Sequence, residues 1–246
     1  MSAIAYPHQP ALTPSQTQGW WAAVVAGWLR NPVAFVTQAC WTEDPTNVQD
    51  PLHPDGPLIV KNPIRLIPRE DFIVIFVHKY LSPRRVLAIP KSRRMIVTWT
   101  ACALDLHTAM WTPSAQVYIA SKDQTDSDKL VQRCLFIYEH LPREMPKPHI
   151  YVRHGKEGNA TVLEFEETNS KIIALNQKPN DLRQEGATLL HVEEFGFWEW
   201  QERSYTAMLP TTMGGGKVRV ICSAINGTFW SDVVNDKTVS HTREGF

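Results

Sequence analysis

Short continuous apolar runs alternate along much of this chain with longer stretches whose apolar positions recur at helical spacing. Arg85–Pro90 (RVLAIP), Val117–Ala120 (VYIA), Thr188–Glu193 (TLLHVE) and Val218–Ser223 (VRVICS) are runs of the first kind. Apolar residues on both faces of a strand are the mark of a sheet covered on both sides. Ile150–Val152, Ala160–Phe165 and Ile172–Leu175 add three further strands, with Gly155–Asn159 as a turn between the first two. Helical spacing predicts helices over Val97–Trp111, from a Ser121 cap to about His140, and over Glu199–Leu209. Pro68 followed by Arg69, Glu70 and Asp71 suits a helix start, so Asp71–Leu81 reads as a helix, although Ile73, Val74 and Ile75 also permit a strand. Ser82-Pro83 and Leu141-Pro142 end their helices. Strands alternating with helices predict an α/β fold, three-layered, with a mostly parallel central sheet.

Residues 1–62 have a different pattern and read as a small N-terminal helical lobe with a Pro-rich connector. Pro14, Ser15 and Gln16 open a helix carrying Trp21, Val24, Val25 and Trp28, which Asn31-Pro32 ends; a second helix is expected at about 33–41. Pro45, Pro51, Pro54, Pro57 and Pro63 then predict a stiff connector without regular structure. Residues 63–246 form the expected α/β core.

Composition narrows the function classes. Lys and Arg (25) balance Asp and Glu (25), so no overall positive field draws the chain onto nucleic acid, and DNA contact would need local patches. Lys156, Lys171, Lys178, Arg183 and Arg219 are scattered rather than striped, which favours solvated surface. Cys40, Cys102, Cys134 and Cys222 form no CxxC pair and read as reduced core thiols. The apolar stretch Trp20–Leu29 has about half the length of a membrane span and no cleavage site follows it, so a soluble, unprocessed protein is expected.

Ligands of such sheets bind where the parallel strands end. Three strand ends carry candidate chemistry. Lys91, Ser92, Arg93, Arg94, Met95, Ile96, Val97 and Thr98 link a strand to a helix. That geometry presents backbone N–H groups and the positive end of a helix to an anion, and Thr98 offers a hydroxyl to Mg²⁺. Aligned on Thr98, the pattern G-x-x-x-x-G-K-[ST] is broken: Lys91 stands at the first glycine, Ile96 at the second and Val97 at the lysine. Glu193-Glu194 close the strand Leu189–Glu193 and resemble an acid pair that orients a metal and activates water; two solvated acids would read the same. His191, inside that strand, reads as a satisfied core residue. Ser223, Ala224, Ile225, Asn226 and Gly227 end the last strand in small and polar residues, with Asn-Gly to turn the chain. Met213-Gly214-Gly215-Gly216-Lys217 precedes a strand instead of following one and reads as a flexible connector. The order of these segments, phosphate-loop candidate, acid pair, polar strand end, follows that of P-loop ATPases with an added catalytic glutamate.

IPKSRRMIVTW, LLHVEEFGFWEW and VICSAINGTFW together resemble the ATPase domain of a tailed-phage terminase large subunit, over roughly residues 64–235. The resemblance implies a P-loop NTPase of the RecA-like kind. In it Arg93 is the loop arginine at the γ-phosphate, Glu194 the catalytic carboxylate, and Ser223–Gly227 the segment coupling hydrolysis to DNA movement. Asp181-Leu182-Arg183 to Gly186 resembles a family Arg-Gly turn. Three departures stand out: both loop glycines are missing, Glu193 replaces the usual Asp, and Arg69 stands where a Gln usually reads adenine. The clustered acids of the family's nuclease half find no counterpart, so an excised ATPase domain or a truncated gene product is expected.

The implied activity is ATP hydrolysis driving double-stranded viral DNA into a procapsid, with ATP and Mg²⁺ as cofactors. Lys91 and the loop would hold the phosphates, and Thr98 and Glu193 the Mg²⁺. Implied partners are DNA, the portal protein of the procapsid and the small terminase subunit. The assembled form would be a homo-oligomeric ring in the host cytoplasm, a monomer when isolated, with no membrane. Two other readings stay open: a helicase-like nucleic-acid-dependent ATPase, and a degenerate P-loop module that binds without hydrolysis.

Overall fold

The computed structural model describes residues 14–43, 61–63, 70–92, 96–184, 186–223, 225 and 227–235. The N-terminal elements are α1 (Pro14–Arg30), α2 (Pro32–Ala39), and two short strands, β1 (Trp41–Glu43) and β2 (Lys61–Pro63). There follow α3 (Glu70–Tyr80), β3 (Val86–Lys91), α4 (Val97–Trp111), β4 (Gln116–Ala120) and α5 (Gln124–Glu139). The second half holds β5 (Ile150–His154), β6 (Ala160–Phe165), β7 (Ser170–Leu175), β8 (Leu189–Glu193), α6 (Gln201–Met208), β9 (Lys217–Ser223) and α7 (Phe229–Val234).

Seven strands form the main sheet in the order β3-β9-β8-β4-β7-β6-β5. The first five are parallel to their neighbours, and β6 and β5 extend the sheet antiparallel. The expectation of a mostly parallel α/β sheet holds. β9, last in sequence, lies between β3 and β8, pairing Lys91 with Ser223 and Glu193 with Ile221. The ends of three chain-distant strands are thereby brought to one rim. Pro90 is tolerated because β3 is an edge strand, where a missing N–H breaks no central ladder.

Strand alternation sorts the core onto two faces. Val117, Ile119, Leu189 and Ile221 meet α4 and α5 on one side, in a cluster that also contains Trp28 and Phe35 of α1 and α2 and Tyr80 of α3. Tyr118, Ala120, Leu190, Val192, Val220 and Cys222 face the other way, beneath Tyr205 and Met208 of α6 and Trp230 of α7. His191 and Glu193, two and four residues beyond Leu189, belong to the α4 side. All four cysteines are free and buried, as expected of core thiols.

Several local expectations need correction. Asp123, not Ser121, caps α5: its side chain accepts the Asp126 N–H at 2.8 Å, while the Ser121 N–H is taken by Ser127 Oγ. The Pro-rich connector was expected to lack regular structure, yet its two ends pair as β1 and β2. Met213–Lys217 is a packed turn rather than a flexible connector: a Cβ on Gly216 would stand 1.9 Å from the Ala187 carbonyl oxygen. The alternative of a strand at Ile73–Ile75 is settled in favour of α3. No helix among the described residues is long and apolar enough to cross a membrane.

Candidate functional site

Lys91 ends β3, Thr98 opens the second position of α4, and Glu193 ends β8, so each is placed by where a regular element stops. Lys91 Nζ lies 3.0 Å from Thr98 Oγ1 and 3.3 Å from Glu194 Oε1, and forms a short ion pair with Glu193 Oε1. The Thr98 hydroxyl donates to the same Glu193 oxygen at 2.8 Å. Four candidate side chains from two separate segments thus meet within hydrogen-bond distance. Lys91 and Glu193 are largely enclosed, with 11% and 5% of their side chains exposed, whereas Glu194 keeps 32%. The more open acid is the one able to reach a water molecule.

Two backbone features shape the rim. Ile96, just before α4, adopts a left-handed conformation with φ of 57°, and Glu194 does the same with φ of 55°. A β-branched residue is rare at positive φ; Ile96 stands where the usual loop pattern has glycine, so the glycine backbone persists without the glycine. At Glu194 the sharp turn separates the two acids: Glu193 stays on the α4 face while the chain turns into the 3-10 segment Phe195–Phe197. Trp198 Nε1 fixes this turn by donating to the Glu193 carbonyl at 3.1 Å.

Behind the rim lies a buried polar chain. His191 Nε2 is 3.2 Å from Glu193 Oε2, and His191 Nδ1 is 2.6 Å from Asp105 Oδ2. Tyr80 donates its hydroxyl to Asp105 Oδ1 at 2.6 Å. Burial opposes a charge on His191, but Asp105 and then Glu193 outweigh it and push its pKa up to about 10. Glu193 is likewise penalised by burial, yet His191 and Lys91 hold its carboxyl below the ordinary range. Lys91 loses solvation too, and the two glutamates more than restore its charge. His191 is a satisfied core residue, as expected. Asp105 and Tyr80 escaped sequence reasoning; the signal was that Asp105 is the one acid in α4 and stands seven residues, two turns, from Thr98.

Cys222 of β9 accepts the Gly196 N–H at 3.1 Å and lies 3.9 Å from Glu194 Oε2. Burial raises its thiol to about 11, so it stays protonated. Ser223 ends β9 beside Lys91, Ile225 packs among the aromatic residues under α7, and Gly227 has a positive φ of 71°. Ser92 is exposed next to Lys91 and Val97 is buried in the core. Arg69, Arg93, Arg94, Met95, Ala224 and Asn226 lie outside the described residues. Of the scattered cations, Arg219 is fully buried and serves the fold, donating to the carbonyls of Ser82, Arg84, Tyr80 and Val218. Lys171 pairs with Glu164, while Lys156, Lys178 and Arg183 are exposed.

The donor set can be tested against a divalent ion. Thr98 Oγ1 and Glu193 Oε1 are hard oxygens of the kind Mg²⁺ prefers. The Lys91 ammonium already lies against both, so these two oxygens are placed where a cation can sit. These residues fit Mg²⁺.

No protein-family model matches the chain, and no curated protein matches it either. Among solved structures it is similar to the large terminase of bacteriophage HK97, with a TM-score of 0.61 and 15% identity over 85% of this chain and 42% of that one. It is also similar to the large terminase ATPase domain of Thermus phage P74-26, with a TM-score of 0.50 and 15% identity over 64% of this chain and 67% of that one. The chain therefore has the fold of these phage large-terminase ATPase domains, and spans less than half the length of the HK97 protein.

Proposed function

We propose that this chain is the ATPase domain of a phage DNA-packaging motor, which hydrolyses ATP to drive double-stranded DNA into a procapsid. The observation that carries the reading is the convergence of Lys91, Thr98, Glu193 and Glu194 at one rim of the sheet, where β3 and β8 end on either side of β9, on a fold shared with two phage large terminases. On this reading residues 63–246 are the ATPase core and residues 1–62 its helical border. The acting form is a ring in the host cytoplasm, docked on the portal, with the small subunit as a further partner.

Each residue then has a task. Lys91 leaves Glu193 and neutralises the β- and γ-phosphate oxygens, assisted by the backbone N–H groups at the start of α4. Thr98 and Glu193 hold Mg²⁺, which when bound spreads the negative charge of the phosphates. Glu194, the open acid, accepts a hydrogen bond from the water that attacks the γ-phosphorus as the bond to the bridging oxygen breaks. Arg93 stabilises the charge of the transferring phosphoryl group, and Ser223–Gly227 pass the loss of that group to the DNA-bound parts of the ring. Arg69, Ser92, Arg94, Met95 and Ile96 complete the nucleotide surround, to which Val97, its side chain in the core, adds only its backbone N–H.

A second reading is favoured by Ile96, whose side chain stands where glycine normally lets the loop approach the phosphates: a module that binds nucleotide without hydrolysing it. One experiment separates the two. Mg²⁺-dependent ATP hydrolysis is measured for the chain and for Glu194→Gln at several protein concentrations. Turnover that rises more than linearly with concentration and vanishes in Glu194→Gln, with binding retained, supports the motor. Nucleotide binding with no turnover at any concentration supports the binding module, and no binding at all removes both.

A further inference from the structure

We propose that His191 sets the orientation of Glu193, with Asp105 and Tyr80 holding the imidazole in place for that task. The inference rests on the reading of Glu193 as a residue of the Mg²⁺–nucleotide site. It assigns a task to three buried residues, of which Asp105 and Tyr80 lie outside every segment quoted above for the site.

The two oxygens of Glu193 are divided between two environments. Oε1 faces forward, to the Thr98 hydroxyl at 2.8 Å and to Lys91; Oε2 faces back, to His191 Nε2 at 3.2 Å. Only one oxygen is therefore offered to the rim. A glutamate has one more rotatable bond than an aspartate, and without a partner behind it the carboxylate could turn either oxygen forward or swing away. The imidazole removes that freedom.

His191 is itself fixed from the far side. Both its ring nitrogens face carboxylate oxygens, so each must donate an N–H, one to Asp105 and one to Glu193. Both oxygens of Asp105 are in turn used, one by His191 and one by Tyr80, whose ring stands edge-on to the imidazole at 6.2 Å. His191, Asp105 and Tyr80 are fully enclosed. The four residues come from α3, α4 and β8, so a buried hydrogen-bonded chain runs from the middle of the fold to one oxygen at the rim. Packing alone does not require it, since Leu189 fills the preceding position on the same face with an apolar side chain. Partners behind a metal-binding carboxylate or imidazole change metal affinity roughly 10–100-fold, even though they never touch the ion.

The test compares the chain with its His191→Gln and Tyr80→Phe variants, using a fluorescent ADP analogue titrated in EDTA and then against Mg²⁺. Thermal melts are run alongside. Glutamine keeps one donor near the ring position; phenylalanine removes a single hydroxyl remote from the nucleotide. The expected result for His191→Gln is a Mg²⁺ half-saturation raised about tenfold or more, with affinity in EDTA changed less than about twofold. Tyr80→Phe should move the same way by less. An unchanged Mg²⁺ dependence in His191→Gln overturns the inference, as does an equal loss with and without Mg²⁺ that tracks a lowered melting temperature. If His191→Gln does not fold, Tyr80→Phe decides: a Mg²⁺ dependence identical to the unsubstituted chain overturns it. Failure of the unsubstituted chain to bind the analogue at all would instead remove the proposed function, and this inference with it.

Discussion

The Thr98 hydroxyl donates a 2.8 Å hydrogen bond to Glu193 Oε1 across 95 positions of sequence. That contact exists because α4 starts, and β8 ends, at the same rim of a parallel sheet. The same oxygen also receives the Lys91 ammonium, so hydroxyl, cation and carboxylate satisfy one another. On the proposed function, an arriving nucleotide would have to replace those contacts with better ones, which charge-rich phosphates can supply.

Lys91 is the residue most exposed to that exchange. Removing its charge with Lys91→Met leaves Glu193 and Glu194 side by side with no cation between them and repels phosphates from the rim. Nucleotide affinity should fall at least about tenfold, roughly 1.4 kcal/mol. Titration with a fluorescent ATP analogue reads this directly, and unchanged affinity would remove Lys91 from the site.

At Ile96 two effects oppose each other. Replacing it with glycine relieves a left-handed conformation that costs a β-branched residue roughly 1–2 kcal/mol. The same change gives up a partly buried side chain packed against the core, of similar worth. Ile96→Gly should therefore leave stability within about 1 kcal/mol of the original. It should also tighten nucleotide binding, because the backbone can approach the phosphates more closely. Urea unfolding and the same titration check both halves; a stability loss well beyond that range would show that the side chain matters more than the strain.

What the sequence made legible, and what it hid, follows from the range of each interaction. Apolar runs announce buried strands because the requirement is local: VYIA and VRVICS must be covered on both faces wherever they lie. That Lys91, Thr98, Glu193 and Glu194 meet was legible because they stand where strands end or a helix begins, and the order of the segments placed them together. Asp105, Tyr80 and Cys222 were not, because their meaning lies in contacts made by the fold: a tyrosine on α3 and a cysteine among apolar neighbours look like ordinary core residues. Asp123 was missed as the α5 cap for a smaller reason: Ser121, a plausible cap by type, stands only two residues before it.

Gly216 illustrates a constraint that no motif reveals. The turn ahead of β9 presses its backbone against the Ala187 carbonyl, and a methyl group there would overlap that oxygen at 1.9 Å. Lys217 and Thr188 are hydrogen-bonded at the same junction, so the strands cannot part without loss. Gly216→Ala should cost about 3 kcal/mol or more, whereas Gly214→Ala, with open space around it, should cost well under about 1 kcal/mol. Chemical unfolding of the pair measures the contrast, and equal stabilities would mean that the turn can move aside.

The junction between α1, α2 and α4 should be sensitive to acid. His107 is buried against Phe35 and Trp111, and its Nε2 meets the Trp28 carbonyl at 3.2 Å. Burial lowers its pKa from the ordinary 6.5 to about 4, the carbonyl offsetting only part of that. A histidine held neutral in the fold binds a proton more readily once unfolded, so its contribution is complete above about pH 6.5 and is lost as the pH falls towards about 4. Between about pH 7 and about pH 5 the loss should reach about 2 kcal/mol. Carboxylates such as Glu193, whose pKa is lowered, weaken the fold only at lower pH still, so the two effects separate. His107→Gln retains a donor for the Trp28 carbonyl and cannot titrate, so this loss should be absent from it, and its unfolding free energy should instead rise slightly towards about pH 5, because the fold holds the His191 proton more tightly than the unfolded chain does. Urea unfolding followed by tryptophan fluorescence reads the difference at the junction itself, and parallel pH profiles for the two proteins would show that His107 is not what makes it acid-sensitive.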